Sequence, residues 1–477
     1  MVVILWRAIL GGLLLGARLG AQPPAIFQDG IANAASRIST VLPFGSVAPG
    51  SRIRISGVRF GDHPVLTLNT HGVTLQLKSV RTEDRAAEFL LPRDLPIGES
   101  ELKVAAEGGD SKTLALQIVA TAFGIQALHR VDRVVTLEGT GLGADGTPRG
   151  LEVVLGGIPT APMTTRAGAG GVDQIQFRLP DVLPSGCHLT VYVRTPSHIS
   201  NFVDLPDLPG CVDDTWPVLS PRPNGAGSVA LVRSTLTASS RTWTADSAFA
   251  TFLTTGKRPL QAPLWFPLTA GQCRLQASTE LVQRDPFRLI RINAVVHSAI
   301  SAGDVIYYDN RSIGESAGSY QATLGGTSPA HFHSRPLFYT AGKTVKVTAE
   351  DGKTGPFSVK VPFIDDLNFS HRSNQIDRSQ PLTVRWQTTQ PQVAIVLYSE
   401  TSSSVVQGVC AANGSVGEFT VPPDILRSLP VTDEGVGVLT GYVAVAALSE
   451  HIPFTAKGLK LGIASSVRFR VQQAHFY

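Results

Sequence analysis

Apolar and polar residues alternate along this chain in short runs, and Gly, Pro, Asp and Asn stop each run. Ile53-Arg54-Ile55 sets two apolar side chains on one face and a charge on the other, the period of two that a half-buried strand needs. Val135-Thr136-Leu137 does the same. Further strands are predicted over 65–68, 102–104, 153–155 and 189–193, then over 290–295, 305–308, 344–348 and 357–361. A last group covers 382–386, 393–398, 417–421, 442–447 and 467–471, and residues 349–357 read as a hairpin connection. Long stretches with apolar residues at helical spacing are absent, so the pattern predicts an all-β chain.

The pattern also repeats. Phe89, Pro92, Leu95, Pro96 and Gly98 recur 88 positions later as Phe177, Pro180, Leu183, Pro184 and Gly186. Upstream, Gly57-Val58-Arg59-Phe60-Gly61 recurs 82 positions later as Gly139-Thr140-Gly141-Leu142-Gly143. Fixed Pro and Gly places mark a duplicated structural unit rather than an active site. The bracketing glycines are expected to supply positive φ or a bulge where one strand turns toward the next. The change of offset gives the second unit about six extra residues around 167–171, and insertions of this kind gather in surface loops.

Strand, Gly-x-x-Phe-Gly or Gly-x-x-Leu-Gly, strand, then Pro-x-x-Leu-Pro-x-Gly resembles the IPT/TIG immunoglobulin-like fold. Residues 29–36, followed by Ala48-Pro49-Gly50-Ser51, resemble the opening of a β-sandwich module of secreted proteins of acidobacteria. Together these likenesses cover roughly residues 26 to 208. They imply an interaction and spacer fold with no shared catalytic site, so no functional residue is carried over. Asp377-Arg378-Ser379-Gln380, Phe419-Thr420-Val421-Pro422-Pro423 and Ile425-Leu426 resemble, more loosely, a closing module of uncharacterised acidobacterial secreted proteins.

The expected architecture is tandem immunoglobulin-like β-sandwiches followed by two further β-sandwich domains. Its segments are a signal peptide over 1–21, IPT/TIG-like sandwiches over 22–122 and 123–211, a β-rich domain over 212–363 and an immunoglobulin-like sandwich over 364–477. Trp386 is expected at the centre of the last one. The signal reading rests on Arg7, the apolar run 8–15 and small residues up to Ala21, a run too short to span a bilayer. Export to a secreted, periplasmic or cell-surface location permits disulfides. Of four cysteines, Cys187 and Cys211 flank the end of the second unit and form the favoured pair, with free buried thiols as the alternative. A net charge of +4 with scattered Lys and Arg gives no basic surface for nucleic acid.

Candidate chemistry is sparse. Gly314-Glu315-Ser316-Ala317-Gly318 fits the bare nucleophile-elbow pattern, with His331 or His333 and Asp351 following in sequence, yet the residues after it alternate like a strand where an elbow needs a helix. His331-Phe332-His333 sets two imidazoles on one strand face, but no third metal ligand accompanies them, and solvent-facing histidines are the reading adopted. Asp213-Asp214 and Asp365-Asp366 fall short of the six to eight oxygens that calcium takes, so they read as turn and junction acids. Trp216, Trp243, Trp265, Tyr307 and Tyr308 are candidate platforms for sugar rings, against the alternative of core residues. The expectation is a non-enzymatic, secreted or envelope-associated binding or spacer protein without cofactor or metal, whose partner is an extracellular protein or polysaccharide. The alternative is a hydrolase or carbohydrate-binding protein with its site in the third domain.

Overall fold

The computed structural model describes residues 22–42, 44–146, 148–183, 189–205, 225–238, 241–253, 269–278, 300–316, 319–328, 331–369, 373–401, 404–432 and 440–477. Among them the elements are strands, apart from the five-residue helix Pro423–Arg427 and short 3-10 turns. The all-β expectation holds.

In the first unit Ala25–Asn33, Arg52–Val58 and Ala86–Leu90 form one side, and Val65–Thr70, Gly98–Ala106 and Leu114–Ile118 the other. Val73–Glu83 joins them, pairing with Val65–Thr70 through its first half and with Ala86–Leu90 through its second. Ile53, Ile55, Leu66, Leu68, Phe89, Leu102 and Val104 fill the space between. The second unit repeats the plan in two four-stranded sheets, with its switching strand broken into Ile158–Thr160 and Thr164–Arg166. Ile53 lies opposite Phe89 as Val135 lies opposite Phe177, so the sequence repeat is a repeat of strand register.

The motif glycines divide the work. Gly61 and Gly143 take φ of 64° and 90°, where a β-carbon is strained. Gly57 and Gly139 are needed for close approach, because a β-carbon would meet the carbonyl oxygens of Ala25 and Gly124 at 2.2 and 1.9 Å.

Beyond the tandem pair, strand pairing runs across position 363/364. Residues 225–363 and 364–477 share one 14-stranded sheet. Gly225–Ala238 pairs antiparallel with Arg241–Leu253 and, on its other side, in parallel with Leu459–Gln473. Cys273–Ser278 crosses the same boundary to pair with Val405–Asn413. One core joins Val229, Leu231 and Phe252 to Val345 and Val347, and also to Phe454 and Leu459 from the far end of the chain. Local alternation reports strands but not their distant partners. The expected hairpin over 349–357 is present, with Ala349 opposite Phe357. Trp386 is buried in a separate core, and its Nε1–H donates to the Gly414 carbonyl at 2.9 Å.

Cys273 and Cys410 lie directly opposite each other and form a disulfide that closes 137 residues of sequence, a loop whose closure in the unfolded chain is worth about 5 kcal/mol in the chain-entropy model. Cys187 and Cys211 lie outside the described residues; of the three full pairings, only the one that joins them contains this bridge. Among the described residues no helix is long and apolar enough to cross a membrane.

Candidate functional site: the docked junctions

The residues singled out for hydrolysis are not brought together. Ser316 ends the strand Arg311–Ser316 opposite Ser319, the first residue of the next strand Ser319–Ser328, where an elbow needs a helix. His331 lies opposite Ser328, at the other end of the 10-residue strand Ser319–Ser328. Strand rise separates the two backbones by about 30 Å, far beyond hydrogen-bond reach. His333 belongs to the same short strand, His331–Arg335. Of the aromatic candidates, Tyr308 is buried and donates to the Phe249 carbonyl at 2.9 Å, Tyr307 is half-buried, and Trp243 packs on a core. Trp216 and Trp265, with Asp213 and Asp214, lie outside the described residues.

The structure instead gathers charge at the places where segments meet. Between the two repeats, Arg93 from the Pro-x-x-Leu-Pro-x-Gly turn reaches into the second unit. Its Nη2 pairs with Asp173 Oδ1 at 2.6 Å, and its guanidinium donates to the carbonyls of Gly143 and Gly168, both at 3.2 Å. Asp173 is fully buried, and its Oδ2 accepts from the amides of Gly141 and Leu142 at 2.9 Å. Arg52 Nη2 donates to the Gly170 carbonyl at 2.7 Å, while the Arg52 amide donates to Thr140 Oγ1 at 2.7 Å. The extra residues near 167–171 are a surface loop, with Ala167 and Gly170 exposed, and the carbonyls of Gly168 and Gly170 also take part in the clamp between repeats. Gly171 takes a φ of 73° there, where a β-carbon is strained.

Neither clamp charge was anticipated, although the repeat held the signal. Eighty-eight positions from Arg93 stands Asp181, and 88 before Asp173 stands Arg85. The positions are equivalent in space: Gly139 pairs with Asp173 where the Gly57 amide bonds the Arg85 carbonyl. The two copies thus differ in sign at the positions that dock them.

A second junction seats the second repeat on the shared-sheet body. Val154 and Tyr192, on the outer face of its second sheet, enter one apolar cluster with Trp386, Ile395, Leu397 and Ile425. Buried Arg274 pairs with buried Asp204, and the Thr190 amide donates to Gln272 Oε1 at 2.9 Å. Burial pulls the Arg274 guanidinium below its usual range, against the opposing field of Asp204. Arg194 joins Glu152 to Asp424 with contacts of 2.8 and 2.9 Å. Burial and the Asp424 charge together raise the neighbouring Tyr192 hydroxyl, which stays neutral and donates to Asp424 at 3.3 Å.

A third charge group locks the body itself. Arg233 makes two contacts with Asp246, at 2.7 and 2.9 Å, and one with Asp365 at 2.7 Å, while its guanidinium lies 4.8 Å from the Phe363 ring centroid. Arg468 approaches Asp365 at 2.6 Å, and burial pulls its guanidinium down to about 10. Two guanidiniums and two carboxylates close a neutral network around the 363–366 crossing, and Asp365, half of the expected junction pair, is consumed in it. Asp366 accepts from the Thr389 amide at 2.7 Å and from Gln390 Nε2 at 2.7 Å; burial opposes its ionisation, and these bonds hold its carboxyl below the usual range. Among the described residues no His, Cys, Asp and Glu group is arranged to hold a metal.

No family model and no curated protein matches the chain. Among solved structures it is similar to SGBP-B from a xyloglucan utilization locus of Bacteroides uniformis, at 15% identity over 48% of this chain and 66% of that one, TM-score 0.17. It is also similar to SGBP-B of a Bacteroides ovatus mixed-linkage glucan utilization locus in complex with a mixed-linkage heptasaccharide, at 14% identity over 44% and 66%, TM-score 0.22. A third likeness is to the Plexin A4 extracellular region, at 10% identity over 82% and 34%, TM-score 0.14. The chain spans just under two thirds of each SGBP-B. Each likeness is one of β-rich architecture and carries nothing about ligand or activity.

Proposed function

We propose that this chain is an exported, non-enzymatic binding scaffold that holds sandwich-end loops in a fixed array for an extracellular protein or polysaccharide. The observation that carries the reading is the buried charge at every junction: Arg93 with Asp173, Arg274 with Asp204, and Arg233 with Asp246 and Asp365. Removing one partner of such a pair strands an uncompensated charge, so each junction resists partial opening. A spacer that must fix the distance between loops needs this, whereas a string of flexibly linked modules does not.

The end of the second repeat offers a place for recognition. Val131 and Val182 are 73% and 82% exposed there, on either side of the Arg133–Asp181 ion pair. Loops at sandwich ends are the usual recognition surface of such folds. The test presents residues 22–477 to a polysaccharide panel and to a native envelope and secreted fraction. Specific capture that weakens at least tenfold in Val131→Asp with Val182→Asp, with no turnover on ester or glycan panels, is the expected result. Turnover abolished by Ser316→Ala would overturn it in favour of a hydrolase.

A further inference from the structure

The disulfide sits inside the second junction. Cys273–Ser278 is an edge strand of the large sheet, paired only with Val405–Asn413 among the described strands. The residues on either side of Cys273 hold the second repeat: Gln272 accepts from the Thr190 amide, and Arg274 pairs with Asp204. Gly271 adds a close backbone approach, since a β-carbon on Gly157 would lie 2.7 Å from its carbonyl oxygen. The S–S bond ties this docking strand to Cys410, which is fully buried, while Cys273 keeps 9% of its surface.

We propose that the Cys273–Cys410 disulfide is a redox latch on the junction between the tandem repeats and the shared-sheet body. In the oxidised chain the edge strand is fixed and presents Gln272 and Arg274 to Thr190 and Asp204. In the dithiol form the strand keeps its ladder hydrogen bonds and the packing of Leu275 but loses its covalent tie to the sheet, and edge strands are the low-stability members of a sheet. The apolar seam of Val154 and Tyr192 keeps the units in contact, so opening loosens the dock without separating the units. The step needs an external dithiol. One of its thiolates attacks the Cys273 sulfur, the S–S bond breaks, and Cys410 leaves as a thiolate that takes up a proton. The reductant's second thiolate then displaces Cys273, giving two protein thiols and one oxidised dithiol. The inference concerns the junction alone and does not depend on what the scaffold binds.

Hydrogen exchange on the full chain tests it, comparing wild type with Cys273→Ser/Cys410→Ser, which leaves Cys187 and Cys211 untouched. The expected result is exchange at the Thr190 amide at least tenfold faster in the variant, with the Val229 and Leu231 amides, in the central strand of the shared-sheet body, unchanged. Arg274→Met in the oxidised chain should speed Thr190 exchange as much, and should add little to the double variant. Unchanged Thr190 exchange overturns the proposal. So does loss of protection at Val229 and Leu231 together with Thr190, because the latch requires a body that stays folded as the dithiol.

Discussion

His198 shows how one residue in a tight turn sets a response of the whole protein. Its amide donates to Thr195 Oγ1 at 3.1 Å and its carbonyl accepts from the Thr195 amide at 2.8 Å, which folds the ring into the structure. Burial pulls its imidazole from 6.5 down to about 4. The unfolded chain therefore binds a proton that the folded chain refuses, and the stabilising effect of the neutral ring is complete above pH 6.5 and lost as pH falls toward 4. Allowing for the partial exposure of the residue, this amounts to about 2 kcal/mol. His198→Gln is expected to flatten the fall between pH 7 and 4.5 relative to wild type, read as urea midpoints. Parallel curves would remove the assignment. Nothing in the alternation of the sequence marks His198, because a turn histidine looks the same whether solvated or enclosed.

At the scale of elements, the duplicated unit was legible and its docking was not. Phe89 and Phe177, with their Pro and Gly neighbours, encode strand register and turn geometry, which are local properties. Arg93 lies within that motif, yet its carboxylate partner is 80 residues away in the second copy. The loop near 167–171 was visible as an insertion, but only its docked position shows that its carbonyls accept from Arg52 and Arg93. Arg93→Met is expected to lower stability by about 3 kcal/mol, because the buried Asp173 carboxylate keeps its two amide bonds but loses its counter-charge. Shortening 167–171 to match the first unit should weaken the same junction, and the two changes should be clearly less than additive in denaturant midpoints. Full additivity would mean that loop and arginine act separately.

For the whole molecule, the parallel pairing of Gly225–Ala238 with Leu459–Gln473 makes the C-terminal half one folding unit. A protease site engineered at 363/364 is expected to leave the two pieces associated under native conditions, and residues 225–363 expressed alone should not fold, since Phe454 and Leu459 complete their core. Residues 22–122, with a closed core of their own, should fold in isolation; thermal melts and gel filtration read all three. By itself the sequence determined the all-β class, the tandem repeat and most strand positions, because alternation, Gly and Pro act over a few residues. Tertiary structure decided the rest: which distant strands share a sheet, which cysteine faces Cys273, and which buried arginine meets which aspartate. Those choices depend on a partner's position in space, and the energy of a buried charge or a non-local strand pair leaves no trace in local spacing.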